Sequence, residues 1–202
     1  MMKNDILQKA SDMFLSLGFK SVTMDDIANE LGISKKTIYQ HYATKDDLVQ
    51  ATTLFLFENI SSGIDEICAI GKNPIEELFE IKEYVLHNLK NEDSSPFYQL
   101  QKFYPKIYAT LKCKQFDKLD SCVIQNLKRG IALELYRKEI DLEFIGRIYY
   151  SGINSLKDIE IFPENMFKMR NLQENFLEYH LRGIITEKGL SVLQQFITKH
   201  NQ

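Results

Sequence analysis

The sequence predicts an all-α fold, with a small N-terminal helix-turn-helix bundle followed by a larger helical domain. Three observations predict it. Apolar residues recur at three- and four-residue spacing along most of the 202-residue chain. No strand alternation or hairpin turn pair persists, and the four prolines and nine glycines are few. Finally, the stretch TMDDIANELGISKKTIYQHY, residues 23–42, reads as two short helices about a tight turn. Its first apolar set is Met24, Ile27, Ala28 and Leu31, Gly32 makes the turn, and Ile33 and Ile38 follow. The small Ala28 lets a second helix cross closely, and Gly32 supplies a turn geometry that a residue with a Cβ resists.

In chain order, the first helix is expected from about Asn4 to Leu17, with Ile6, Ala10, Phe14 and Leu17 on one face. Leu7 and Met13 widen that face, and Gly18 ends the helix. Thr23-x-x-Asp26 is a capping-box-like start for the second helix, and Ser34 sits where the third needs its N-cap. Thr44-x-x-Asp47 repeats the start signal for a fourth helix with Leu48, Ala51 and Phe55 on one face. Pro74 opens a helix to about Lys90, the polar loop from Asn91 to Ser95 follows, and Pro96 starts the next helix. Tyr104-Pro105 breaks the pattern before a long helix from about Lys106 to Lys128, with an interruption near Cys113. Gly130 and Ile140-Asp141 bracket an irregular part, and Asp141 caps a helix carrying Phe144, Ile145, Ile148, Tyr149 and Ile153.

Pro163 is expected to open the longest helix, ENMFKMRNLQENFLEYHLRGII, in which Met169, Leu172, Phe176, Tyr179 and Gly183 form an a/d seam. Thr186 starts the last helix, with Leu190, Leu193 and Ile197 on one side and Val192 and Phe196 beside them. Two apolar C-terminal helices need a cover, and a second copy related by a two-fold axis supplies one. The candidate dimer interface is therefore Leu172, Phe176, Tyr179, Gly183, Leu190, Leu193 and Ile197.

Composition narrows the class. Apolar content of 44% and charged content of 26% suit a soluble globular protein, and no apolar run approaches about 18 residues, so no membrane span is expected. The start, MMKNDILQKASDMF, lacks a signal-peptide core, which makes the expected location cytoplasmic. Three cysteines, Cys68, Cys113 and Cys122, contain no C-x-x-C pair, so neither a disulfide framework nor a zinc site is expected. A Cys113/Cys122 redox pair is the alternative to simple reduced thiols. The net charge of −3 is wrong for indiscriminate DNA binding, but residues 31–45 hold Lys35, Lys36 and Lys45 and no carboxylate.

With those residues in place, the segment from Ile6 to about Ala51 resembles the DNA-binding domain of tetracycline-repressor (TetR) family transcriptional regulators. Four linked pieces carry the resemblance: Leu17-Gly18-Phe19, Thr23-x-x-x-Ile27-Ala28, Leu31-Gly32-Ile33-Ser34, and Thr37 to Tyr42 followed by Lys45-Asp46-Asp47-Leu48. They cover about a quarter of the chain. The resemblance implies a homodimer whose residues 1–47 bind DNA and whose residues 48–202 form a ligand-sensing and dimerising domain. Two residues depart from the usual pattern. Lys36 stands where many members have Gly or another small residue, adding a charge beside the DNA, and Tyr42 stands where Phe is usual.

The candidate DNA contacts are Thr23, Ser34, Lys35, Lys36, Thr37, Tyr39, Gln40, His41 and Lys45. Thr23 is a cap at a helix end that is also able to hold a phosphate. Lys35, Lys36 and Thr37 lie in the first turn of the reading helix, where lysine reaches guanine O6 and N7 and the threonine methyl reaches thymine. Gln40 suits adenine or, equally, a phosphate. The resemblance implies backbone contacts for Tyr39 and His41 and a phosphate contact for Lys45. A ligand is expected among the middle helices, on Tyr84, His87, Phe103, Tyr104, Tyr108 and Tyr149. Aromatic walls with a few polar tips suit a small amphipathic or aromatic molecule. The function expected is a ligand-responsive repressor on a near-palindromic double-stranded DNA operator. A helical enzyme or carrier is the alternative, but no phosphate loop, H-E-x-x-H or nucleophile setting supports it, and no cofactor or metal is expected. A protein-binding adaptor is the other.

Overall fold

The computed structural model of the chain describes residues 2–90, 95–163 and 165–200, apart from the side chains of Ser95, Asp120, Lys199 and His200. Helices account for most of it: α1 Met2–Leu17, α2 Met24–Leu31, α3 Lys35–His41, α4 Lys45–Ile70 and α5 Pro74–Asn88, then α6 Ser95–Phe103, α7 Pro105–Ala132, α8 Leu142–Ser155, α9 Met169–Ile184 and α10 Glu187–His200. Among the described residues the one β-type pairing is an isolated antiparallel bridge between Tyr136 and Ile185. The chain divides into two compact units, one of Met1–Ser61 with Asp93–Gln115 and one of Ser62–Glu92 with Phe116–Gln202. Helices α4 and α7 each contribute to both.

In the first unit α1 buries Ile6, Leu7, Ala10 and Phe14. Leu17 does not join them: it is 60% exposed. The chain turns through Gly18 at φ +85°, and Phe19 stacks on Phe14 with centroids 4.9 Å apart, filling the place expected for Leu17. Met24, Ile27 and Ala28 of α2, Ile38 of α3, Tyr42, and Leu48 and Val49 of α4 close the bundle. Leu100 of α6 and Leu111 of α7 belong to the same core, so the bundle is completed by helices far along the chain. Among the described residues, the buried hydroxyls of Ser11, Tyr42, Thr52 and Thr53 there have no hydrogen-bond partner.

The second unit packs α5, α8, α9 and α10 with the far parts of α4 and α7 around Ile75, Leu127, Leu177, Leu181 and Leu193. A buried polar network lies inside it. Glu77 is 1% exposed; its Oε2 accepts from Arg129 at 2.6 Å and its Oε1 from Asn126 Nδ2 at 2.8 Å. Asn126 also donates to the Pro74 carbonyl, at 2.9 Å, and accepts from the Tyr136 hydroxyl at 3.0 Å. Every member is satisfied, which makes the network a clamp between α5 and α7 rather than a defect.

Several expectations change. Helix α7 runs unbroken past Cys113 and on through Gly130. Gly130 is not a stop but a site of close approach, since a Cβ there would lie 2.0 Å from the Tyr136 ring. Helix α5 ends at Asn88; of the loop expected from Asn91 to Ser95, residues 91–94 lie outside the described residues and Ser95 already begins α6. Pro163 does not open α9. Its carbonyl accepts from the amides of Met166 and Phe167, closing a turn that Phe162 and Phe167 brace edge to face at 5.5 Å. Helix α9 begins only at Met169, after an N-cap residue, Lys168, that makes no side-chain cap. It is therefore shorter than α4 and α7.

The a/d seam also divides. Leu172 is buried, and Phe176, Leu190 and Ile197 pack against the unit's own core, where Leu193 is fully enclosed. Leu193 is thus not on a surface that a second copy could touch, because Ile197, Leu190 and Leu193 face inward together. Tyr179 is 78% exposed, and nothing lies within 4 Å of a Cβ built on Gly183.

Candidate nucleic-acid interface

The reading unit is built from caps. At α2, the Thr23 hydroxyl donates to Asp26 Oδ2 at 2.7 Å and the Thr23 amide to the same oxygen at 2.8 Å, while the Asp26 amide donates to Thr23 Oγ1. This reciprocal box satisfies two amides that the helix leaves without internal partners. The Thr23 side-chain bond, and then the backbone bond, hold the Asp26 carboxyl below the usual carboxylate range. The Thr23 hydroxyl is accordingly committed to the cap. Gly32 closes α2 at φ +64° with open space around it, so glycine serves the left-handed backbone there and not packing.

Ser34 then caps α3: the Thr37 amide donates to its Oγ at 3.2 Å, and the two hydroxyl oxygens are 2.9 Å apart. Ile38 is fully buried and anchors the helix, while Lys35, Lys36, Tyr39, Gln40 and His41 are exposed and Thr37 is half-buried. One buried anchor and an otherwise largely exposed, polar surface is the division a groove-reading helix requires. The two lysines differ. Lys35 Nζ pairs with Asp25 at 2.5 Å, a bond that raises its pKa, and lies 5.9 Å from the centre of the Tyr39 ring. Lys36 makes no ion pair among the described residues. It is the unspent cation of the reading helix.

Lys45 opens α4 with its Nζ donating to the Lys20 carbonyl at 3.1 Å. Partial burial pulls its pKa down, against the attraction of Asp46 and Asp26. It therefore stands beside the start of α2, and two helix N-termini and one ammonium converge there. The Thr44-Asp47 box, with the Thr44 hydroxyl 2.8 Å from Asp47 Oδ2, fixes the end of α4 that presents it.

These side chains sit on a recognised scaffold. Residues 6–52 match the family model described as bacterial regulatory proteins, tetR family. These residues form a TetR-family DNA-binding domain. The chain is accordingly a helix-turn-helix DNA-binding transcriptional regulator, as its relatives are. Among its relatives is the helix-turn-helix regulator YvaF of Bacillus subtilis, 23% identical over 93% of this chain and 97% of that protein. The transcriptional repressor KstR2 of Mycolicibacterium smegmatis is 28% identical over 38% of this chain and 37% of its own length. The fold matches that of a transcriptional regulator from Saccharomonospora viridis solved with choline, at a TM-score of 0.71 and 18% identity, covering 92% of this chain and 98% of that one.

The six expected ligand residues are not gathered into one unit. In the first, Tyr104 and Tyr108 pack on the bundle core and Phe103 is exposed. In the second, Tyr84 lies flat over Gly63, with its hydroxyl 2.0 Å from where a Cβ would be, and His87 is exposed. Tyr149 is buried between Phe176 and His180, with centroids at 5.7 and 4.8 Å. Burial lowers the His180 pKa to about 4, so this imidazole is neutral. His180 was not among the expected residues, although it is the one histidine at an apolar spacing in α9. Cys122 lies near Cys68 rather than Cys113, which is exposed in the other unit; burial raises both thiols, that of Cys68 up to about 11. Among the described residues no His, Cys, Asp and Glu cluster has the makings of a metal site, and no helix is long and apolar enough to cross a membrane.

Proposed function

We propose that this regulator is a cytoplasmic, ligand-responsive repressor that binds a near-palindromic operator as a homodimer. The observation that supports this reading best is the exposed face of α3, where unpaired Lys36 stands beside Lys35, Thr37 and Gln40 on a helix anchored by fully buried Ile38. Lys36 and Gln40 donate to base edges, Lys36 to guanine and Gln40 to adenine, while Tyr39, His41, Lys45 and the capped ends at Thr23 and Ser34 position the backbone. Residues 1–47 carry the DNA contacts, and residues 48–202 carry sensing and dimerisation.

For the second copy, the supporting feature is the outer side of α9 and α10. Tyr179 and Gly183 are exposed on α9, and Ser191, Gln194, Gln195 and Thr198 of α10 bound a shallow depression. Leu172, Phe176, Leu190 and Ile197 support that face from beneath. A small amphipathic or aromatic ligand seated on the tyrosine and phenylalanine side chains of the sensing helices would alter DNA affinity by its preference for one dimer state over the other. The bound choline of the Saccharomonospora regulator is one example of a small cation held by this fold.

Selection of bound sites from random duplex DNA by the purified protein tests the reading. A palindrome with half-sites about one helical turn or a multiple apart is expected. Enrichment of no sequence, or of an isolated half-site only, overturns it.

A further inference from the structure

Lys20 is a surface lysine held from three sides. Its amide donates to Gln99 Oε1 of α6 at 3.0 Å, and its carbonyl accepts from Lys45 Nζ at 3.1 Å. Its own ammonium lies 4.8 Å from the centre of the Phe103 ring. Lys102 approaches the same ring, with Nζ 5.7 Å from its centre, and donates to the Tyr98 hydroxyl at 3.3 Å. Gln99 is seated by Gly18: a Cβ at that position would fall within 2.4–2.7 Å of the Gln99 amide group, and φ +85° already favours glycine. The end of α6 and the turn after α1 are thereby latched together within one compact unit.

The placement matters because Lys20 precedes the Thr23 cap by three residues and lies on the carbonyl that Lys45 grips. Lys20 and Lys45 therefore stand at the α2 start, and Lys102 shares the Phe103 ring with Lys20. Two ammonium groups gathered on one aromatic ring repel each other, and among the described residues neither Lys20 nor Lys102 meets a carboxylate. The carboxylates nearby, Asp26 and Asp46, act on Lys45, and Asp26 is further committed to the Thr23 cap. A ring that orders two lysines lowers the entropy lost when they meet an anion, and removes little of their charge. Nothing in the packing of the unit requires a cation at either position.

We propose that Lys20 and Lys102, gathered around Phe103, hold backbone phosphates flanking the half-site, so that each protomer grips more duplex than its reading helix spans. This rests on the operator-binding reading above. The partner is double-stranded DNA, met through its phosphates and not its bases, so the contact adds affinity and no sequence preference.

The test measures operator affinity of the full-length protein across a series of salt concentrations. Lys20→Gln, Lys102→Gln and the double variant are compared with the parent and with Lys138→Gln, an exposed lysine of the other unit. Each substitution around Phe103 should lower the slope of log K against log salt by about 0.9 per bound protomer, and leave the selected sequence unchanged. Lys138→Gln should leave the slope as it is. If the parent binds its operator with ordinary salt dependence and the double variant keeps the parental slope, this proposal falls and the function stands. Equal losses from Lys138→Gln would also overturn it, by showing a general charge effect. A parent that selects no DNA at all overturns both.

Discussion

Replacing Glu77 by Ala removes the centre of the α5–α7 clamp. The carboxylate is 1% exposed and bonded to both Arg129 and Asn126. Removing one partner of a buried ion pair costs about 3–5 kcal/mol when the other charge is left stranded. Here the stranded charge is not sealed in, because the Arg129 side chain is 37% exposed and regains water. Asn126 Nδ2 also keeps its bond to the Pro74 carbonyl. The cost is therefore set below that range, at about 2–3 kcal/mol, most of it desolvation left uncompensated on Asn126 and the hollow left by the side chain. Glu77→Gln keeps the volume and an acceptor for Asn126 and loses only the charged bond, so about 1–2 kcal/mol is expected. Urea unfolding at one fixed protomer concentration measures both, since association would otherwise shift the midpoint. With a slope of about 2 kcal/mol/M, the alanine variant should unfold about 1–1.5 M earlier than the parent and the glutamine variant about half as far. Equal midpoints for alanine and parent, or a larger loss with glutamine than with alanine, would refute the clamp.

Lys45→Ala should weaken binding alike on all DNA and lower the salt slope by about one unit, whereas Lys36→Ala should change the sequence returned by site selection; an unchanged site for the latter removes Lys36 as a base reader. Tyr42→Phe deletes a buried hydroxyl that has no partner, so thermal unfolding should show a gain of up to about 1 kcal/mol; a loss of that size would mean the hydroxyl is bonded in solution. His180 is neutral in the folded chain, with a pKa of about 4 against an unfolded value of 6.5. The unfolded chain thus binds the extra proton between those values, so this contribution is whole above pH 6.5 and falls as pH drops towards 4, by about 3 kcal/mol in all. His180→Leu should flatten the dependence of the urea midpoint on pH in that window, and an equally steep dependence in the variant would assign the effect elsewhere.

The bundle was legible because its signals are local. Thr23 with Asp26, Ser34 ahead of Thr37, Gly32, and Thr44 with Asp47 each act within four residues, and each forms the cap its spacing implies. What lay hidden depends on residues distant in sequence. Nothing around Gly130 reveals that Tyr136 will lie on it, so the glycine looks like a stop. The turn closed on the Pro163 carbonyl defeats the helix-start rule for proline because two amides beyond it bond to that carbonyl. Glu77 reads as one more charge on an amphipathic helix until Arg129 and Asn126 arrive from about fifty residues away. The a/d spacing of Leu172, Phe176, Tyr179 and Gly183 is real, but a spacing does not say which neighbour covers it, and most of the bulk turned inward. In the candidate site, the exposed positions of α3 were visible in the sequence, and the pairings of Asp25 and Lys20 were not, since they come from partners ten or more residues off.

The Asp25–Lys35 pair gives the first lysine of α3 an internal counterion. On a random stretch of duplex, a phosphate gains nothing from Lys35 unless it expels Asp25, and the exchange leaves the local charge balance nearly where it was. Lys35 therefore adds little to the loose, sequence-blind attraction by which a regulator is sequestered along a chromosome. Under the operator-binding proposal, it engages only where a guanine edge offers two acceptors that outcompete one carboxylate. Neutralising Asp25 would make the protein stickier and slower to search, even with every base contact intact.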